Sequence, residues 1–153
     1  MKKLSMIAAA VTLSACVSAP MMMKDDNAAL PEAVRVPAGQ KVMMSTTGVG
    51  EITYECREKK AVGKYYAGPT WEANDGSKVT GKQLAVSPAA PGNIPLQLVK
   101  TEPAMGAGAM TGVSYIQRLN TKGGVAPAMA CDAMSKGKRQ QVAYEADYVF
   151  YGM

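Results

Sequence analysis

The stretch Val142-Ala143-Tyr144-Glu145-Ala146-Asp147-Tyr148-Val149-Phe150 decides the fold class. Apolar or aromatic side chains recur at every second position, so Val142, Tyr144, Ala146, Tyr148 and Phe150 share one face of an extended chain. A helix would scatter these five side chains around its axis. Toward the N-terminus, Glu51-Ile52-Thr53-Tyr54-Glu55-Cys56 alternates in the same way, with Ile52, Tyr54 and Cys56 inward. Further strands are expected at 41–46, 62–66, 78–86, 95–100 and 113–119, parted by Gly68-Pro69, Asn74-Asp75-Gly76, Pro91-Gly92-Asn93 and Lys122-Gly123-Gly124. Asn74-Asp75-Gly76 predicts a tight hairpin between Trp71 and Val79, because glycine accepts the positive φ such turns require. About seven short strands predict an all-β chain: a single antiparallel β-sandwich or barrel-like domain. Residues 105–110, Met-Gly-Ala-Gly-Ala-Met, read as a flexible loop, and no Gly-Lys-Ser/Thr follows to make a phosphate cradle.

Composition agrees. Fifteen glycines and nine prolines among 153 residues suit turn-rich β structure. The chain has no histidine, which removes the usual base near neutral pH, the commonest metal ligand and every Ser-His or Cys-His mechanism. Its net charge of +5 includes Lys2 and Lys3; without them 15 basic side chains face 12 acidic ones. With the basic residues scattered and no aromatic-basic face evident, no nucleic-acid partner is expected. No cofactor is expected either.

Residues 1–15 read as a secretory signal: Met-Lys-Lys, an apolar run from Leu4 to Leu13, then Ser14-Ala15 directly before Cys16. The run falls short of the ~20 residues a membrane-spanning helix needs. Leu13-Ser14-Ala15-Cys16 resembles the bacterial lipoprotein box, which implies that Cys16 is acylated and begins the mature chain. Acyl chains on Cys16 then anchor the protein to a membrane without spanning it. Val17 and Ser18 follow where an inner-membrane retention signal would place aspartate, so outer-membrane delivery facing the periplasm is expected. Residues 16–38 carry Pro20, Pro31 and Pro37 with no sustained apolar period, and read as a flexible tether to a β domain at 39–153. Some 20 such residues would span roughly 25 Å. Met21-Met22-Met23 could offer soft ligands to copper, but no second thioether cluster stands nearby, and the run reads as gap filler or membrane-surface grease.

With Cys16 acylated, Cys56 and Cys131 are the two remaining thiols, and an oxidising compartment should pair them. That bridge would close a loop of 75 residues. Neither cysteine has a histidine to activate it as a nucleophile.

Several separate motifs carry a family resemblance: Tyr66-Ala67-Gly68-Pro69-Thr70-Trp71-Glu72, Asp75-Gly76-Ser77-Lys78-Val79, Ile94-Pro95, Tyr115-Ile116-Gln117-Arg118-Leu119-Asn120-Thr121, Cys131-Asp132 and Tyr144 to Tyr151. In this order and spacing, about residues 38–151 resemble the bacterial and fungal family catalogued as domain of unknown function 3455. The resemblance implies a secreted or envelope protein with an all-β fold, and it implies no reaction. Two departures stand out. Relatives carry a longer segment between Cys56 and the Gly-Pro-Thr-Trp motif, and they often place a histidine where this chain has Tyr65.

Charges within apolar strands cost free energy unless paired, which singles out Arg118, Asp132 and Asp147. In a binding site, Arg118 would contact an anion or carbohydrate, Trp71 would offer an apolar face, and Glu72 or Asp75 would accept hydrogen bonds from hydroxyl groups. In a purely structural role, Arg118 would pair with Asp147 or Asp132, and Trp71 would plug one end of the barrel. The favoured expectation is a non-enzymatic module binding a glycan, a small apolar ligand or an envelope protein. The alternative is a carboxylate-dependent hydrolase of a cell-envelope or extracellular polysaccharide, using Glu72 with Asp132 or Asp147. No Gly-x-Ser-x-Gly elbow supports a serine hydrolase. An open sheet edge after Cys56 would instead invite a partner strand.

Overall fold

The computed structural model describes residues 26–57, 70–128 and 131–153, and the backbone of 60–63. Seven strands form it: β1 (Lys41–Arg57), β2 (Lys60–Gly63), β3 (Thr70–Glu72), β4 (Lys78–Ser87), β5 (Leu96–Thr101), β6 (Val113–Gly123) and β7 (Arg139–Gly152). They make one sheet in the order β2-β1-β7-β6-β5-β4-β3, with every pairing antiparallel. The fold is all-β, and of the two expected architectures it takes the barrel-like one. No second sheet lies among the described residues.

Chain connectivity forces this sheet to curl. Gly63 and Thr70 end the two outermost strands and stand seven peptide units apart in sequence, a reach of at most about 25 Å. Six inter-strand spacings of a flat sheet would need about 29 Å. The curl shows directly in a contact: Trp71 on β3 meets Tyr148 on β7, four strands away, edge to face with ring centroids 6.4 Å apart. Only side chains on the concave side can converge in this way.

The two expected strands at 41–46 and 51–56 are one 17-residue strand, β1, running continuously through Gly48 and Gly50. Gly48 pairs with Ala146 and Gly50 with Tyr144. A Cβ on Gly48 would stand 2.7 Å from Cε2 of Tyr148, and one on Gly50 would stand 3.4 Å from Cε1 of Tyr144. The missing side chains leave room for two tyrosine rings to lie over β1.

Each face carries its own apolar cluster. On the concave side Val79, Val99, Met110, Val113, Ile116 and Phe150 pack together, flanked by Met44, Trp71 and Tyr148. On the convex side Leu98, Val149 and Tyr151 are covered by Val34 and Val36. This cover corrects the expected tether at 16–38: within it, residues 27–36 form two short 3-10 turns that dock on the sheet, burying Val34 completely. Polar contacts fix the docking. The Asn27 side chain exchanges two hydrogen bonds with the Val36 backbone, both 2.9 Å. Gln117, reaching up from β6, donates to Asn27 Oδ1 and to the Val34 carbonyl.

The Asn74-Asp75-Gly76 hairpin joins β3 to β4 as expected, with Gly76 at φ +82°. The disulfide between Cys56 and Cys131 is present, its Cα atoms 5.5 Å apart, and it ties the 131–138 segment to the end of β1. Backbone bonds from Cys56 to Lys138 and from Gly137 to Cys56 run alongside it. Cys16, the Met21–Met23 run and Tyr65 lie outside the described residues.

Candidate ligand-binding site

Antiparallel register sorts the expected site residues onto faces, since directly paired residues point the same way. Gln97 on β5 pairs with Arg118 on β6, and Arg118 pairs with Tyr148 on β7. These three therefore share the concave row that Trp71 reaches across the curl. Further along β7, Tyr144 faces the same way, and its hydroxyl stands 3.1 Å from that of Tyr148. Gln97 donates to Gln83 of β4 at 2.6 Å. The result is a lining of one indole, two phenols, two amides and one guanidinium.

Arg118 is 8% exposed, and its Nε and Nη2 donate to the Pro95 carbonyl at 3.3 and 3.0 Å. The expected pairing with Asp147 or Asp132 does not form. Asp147 pairs in register with Leu119, one residue along from Arg118, and so points to the convex face. Burial, and then the hydrogen bond with Tyr144, push the Tyr148 phenol well above its ordinary pKa. Arg118 acts weakly in the opposite direction, and Tyr148 stays neutral at any physiological pH.

The remaining carboxylates serve local structure. Asp75 Oδ1 accepts from the backbone N–H and hydroxyl of Ser77, while its Oδ2 accepts from Ala109 N–H at 2.7 Å. The Ser77 hydroxyl in turn accepts from Met110 N–H. Asp75 thus clasps the 105–110 segment, a loop as expected but not a flexible one, to the β3–β4 hairpin. These bonds, Ser77's first, hold its carboxyl below the ordinary carboxylate range. Asp132 caps the turn after Cys131, accepting from Met134 and Ser135 N–H, and Ser135 holds its pKa low as well. Glu72 sits exposed on the outer side of β3 in an ion pair with Lys78. Asp147 accepts from Thr47 and from Asn120, whose φ of +48° at a β6 bulge brings its amide into reach.

Asp147 also edges a convex groove of about 320 Å³ lined by Leu30, Val42, Leu96, Leu119 and Tyr151. The hydrolase pairing of Glu72 with Asp147 gains nothing from this arrangement, because outward-pointing side chains on a curled sheet diverge. Among the described residues, no group of three or more histidine, cysteine, aspartate or glutamate side chains could hold a metal ion.

Of the six expected ligand contacts, then, the structure brings Trp71 and Arg118 together through Tyr148. It leaves Glu72, Asp75, Asp132 and Asp147 elsewhere. Tyr144, Tyr148 and Gln97 are the site residues that the sequence reading missed, although the alternation in β7 already put both tyrosines on one face.

A family model described as a protein of unknown function, DUF3455, matches residues 57–152. The chain belongs to the DUF3455 family. The DUF3455 match contains the buried concave residues from Val79 to Phe150 together with Trp71 and Tyr148, and leaves out Met44 and the docked 27–36 segment. No curated protein and no solved structure matches the chain.

Proposed function

We propose that this DUF3455 protein is a lipid-anchored cell-envelope module that binds a small apolar ligand on the concave face of its sheet and catalyses no reaction. The observation that carries the binding reading is the Trp71–Tyr148 contact across the curl, with Arg118 in the same row. Aromatic faces supply large contact area at low entropic cost, and a few convergent polar groups orient what lies on them. The anchor rests on the Leu13-Ser14-Ala15-Cys16 box, and Val17-Ser18 favours the outer membrane facing the periplasm. A disulfide fits that oxidising compartment. Among the described residues no helix is long and apolar enough to cross a membrane.

Two experiments test the parts separately. Intact-mass determination on protein from its own membranes is expected to find a chain starting at Cys16 with added diacylglyceryl and acyl mass; an unmodified Cys16 would remove the anchor. Trp71 is the chain's sole tryptophan, so its emission reports on the concave face alone. Titration with the uncharged apolar probe N-phenyl-1-naphthylamine is expected to quench it saturably, and Trp71→Phe to abolish the energy transfer to the probe. A linear, unsaturable response would remove the binding reading.

A further inference from the structure

The Arg118 guanidinium is the anomaly of the concave face. A buried cation is costly unless an anion or several hydrogen bonds compensate it. Among the described residues Arg118 meets no carboxylate. Both Nε and Nη2 donate to one acceptor, the Pro95 carbonyl, and the neutral Tyr148 hydroxyl is the other oxygen that the guanidinium meets. Its register neighbours are an amide, Gln97, and a phenol, Tyr148, and neither brings negative charge. The nearest carboxylate in sequence along the paired strand, Asp147, points out of the opposite face and is held by Thr47 and Asn120. The raised pKa of Tyr148 keeps the phenol from acting as the counter-ion. Among the described residues the site therefore presents a positive charge, largely stripped of water, beside a phenol that an indole meets, with no counter-charge at hand.

We infer that the ligand of the concave face is an amphiphilic organic anion, its acidic group on Arg118 and its apolar body against Trp71 and Tyr148. This rests on the binding reading above and adds the ligand's charge to it. A guanidinium in a low-dielectric wall favours carboxylate, sulfonate or phosphate oxygens over neutral groups of the same shape, because the pair is then made away from bulk water. A guanidinium carries five N–H groups, more than one carbonyl and one hydroxyl use, so donors remain for that contact.

The test uses the full chain carrying Cys16→Ser, which keeps it free of acyl groups, and two probes sharing one aromatic body. One is 1-anilinonaphthalene-8-sulfonate, and the other is N-phenyl-1-naphthylamine, which lacks the sulfonate. Energy transfer from Trp71 gives both dissociation constants. The sulfonate is expected to bind at least tenfold more tightly to the wild-type chain. Arg118→Met is expected to erase that preference while leaving the neutral probe within twofold, and Arg118→Lys to retain part of it. Equal affinity of the two probes for the wild-type chain would overturn the anionic ligand and leave the binding reading standing. If neither probe changes Trp71 emission, the binding reading falls and this inference falls with it. Should Arg118→Met fail to fold, the wild-type comparison decides alone. Displacement of the bound sulfonate by laurate but not by benzoate assigns the anion to a lipid source, and the reverse assigns it to a soluble aromatic acid. Displacement by dodecanol as readily as by laurate counts against the inference.

Discussion

Asp75 gathers three hydrogen bonds, two from Ser77 and one from Ala109, which is 34 residues further along the chain, and its low pKa is the thermodynamic mark of that role. A carboxylate whose pKa in the folded state lies below its unfolded value stabilises the fold above that unfolded value, here 3.8. The contribution disappears as pH falls through the folded value. Thermal melts of the wild-type protein are therefore expected to lose more stability between pH 5 and pH 3 than melts of Asp75→Asn; identical pH profiles would deny Asp75 this role. Gly108 makes the clasp possible, because a Cβ there would collide with the Asp75 carboxylate. Gly48 plays a similar part under Tyr148. Gly48→Ala is expected to push that ring aside, costing about 1–3 kcal/mol by overpacking and shifting Trp71 emission, as urea titration and a fluorescence spectrum would register. Unchanged emission would show that Tyr148 does not feel the added methyl. Residues 105–110 read as a flexible loop from sequence because nothing local reveals a carboxylate arriving from another hairpin.

Among the elements, β7 was the most legible and β1 the least complete. Alternation in 142–150 named one buried face of β7 correctly, with Ala146 and Phe150 both inside. It missed that Val149 and Tyr151, on the opposite face, are buried as well. Their cover comes from residues 27–36, whose two key valines are too few to make a period and whose prolines read as a tether. A chain beginning at Asp26 is expected to unfold in urea as one cooperative unit with the longer protein. One beginning at Gly39 would expose Leu98, Val149 and Tyr151 and have a clearly lower midpoint. Val34→Ala, at a fully buried site, is expected to cost about 2 kcal/mol, from roughly 0.8 kcal/mol per methyl group lost plus the cavity left behind. Equal midpoints for the Asp26 and Gly39 chains would return the segment to the status of a tether. The Arg118–Asp147 pairing failed for another element-level reason: it depends on β6–β7 register, and one residue of offset sends two neighbouring side chains to opposite faces.

At the scale of the whole molecule, the Cys56–Cys131 bridge spans 75 residues and links β1 to the segment that leads into β7. Closing a loop of that length can stabilise the fold by up to about 4 kcal/mol in the chain-entropy picture. Reduction is expected to lower the urea midpoint without changing the folded-state spectrum of Trp71, since the bridge lies away from the concave cluster. An unchanged midpoint would assign the bridge no stabilising role. The all-β class, the hairpin at Asn74-Asp75-Gly76 and the cysteine pair were all legible in the residues, because alternation, turn chemistry and thiol count are local or additive properties. The tertiary fold set Trp71 against Tyr148, kept Asp147 and Asp132 away from Arg118, and closed the convex core with two valines from the N-terminal segment. Each of these depends on the curl and register of the sheet, which arise from pairing strands as distant as β1 and β7, and no stretch of neighbouring residues encodes them.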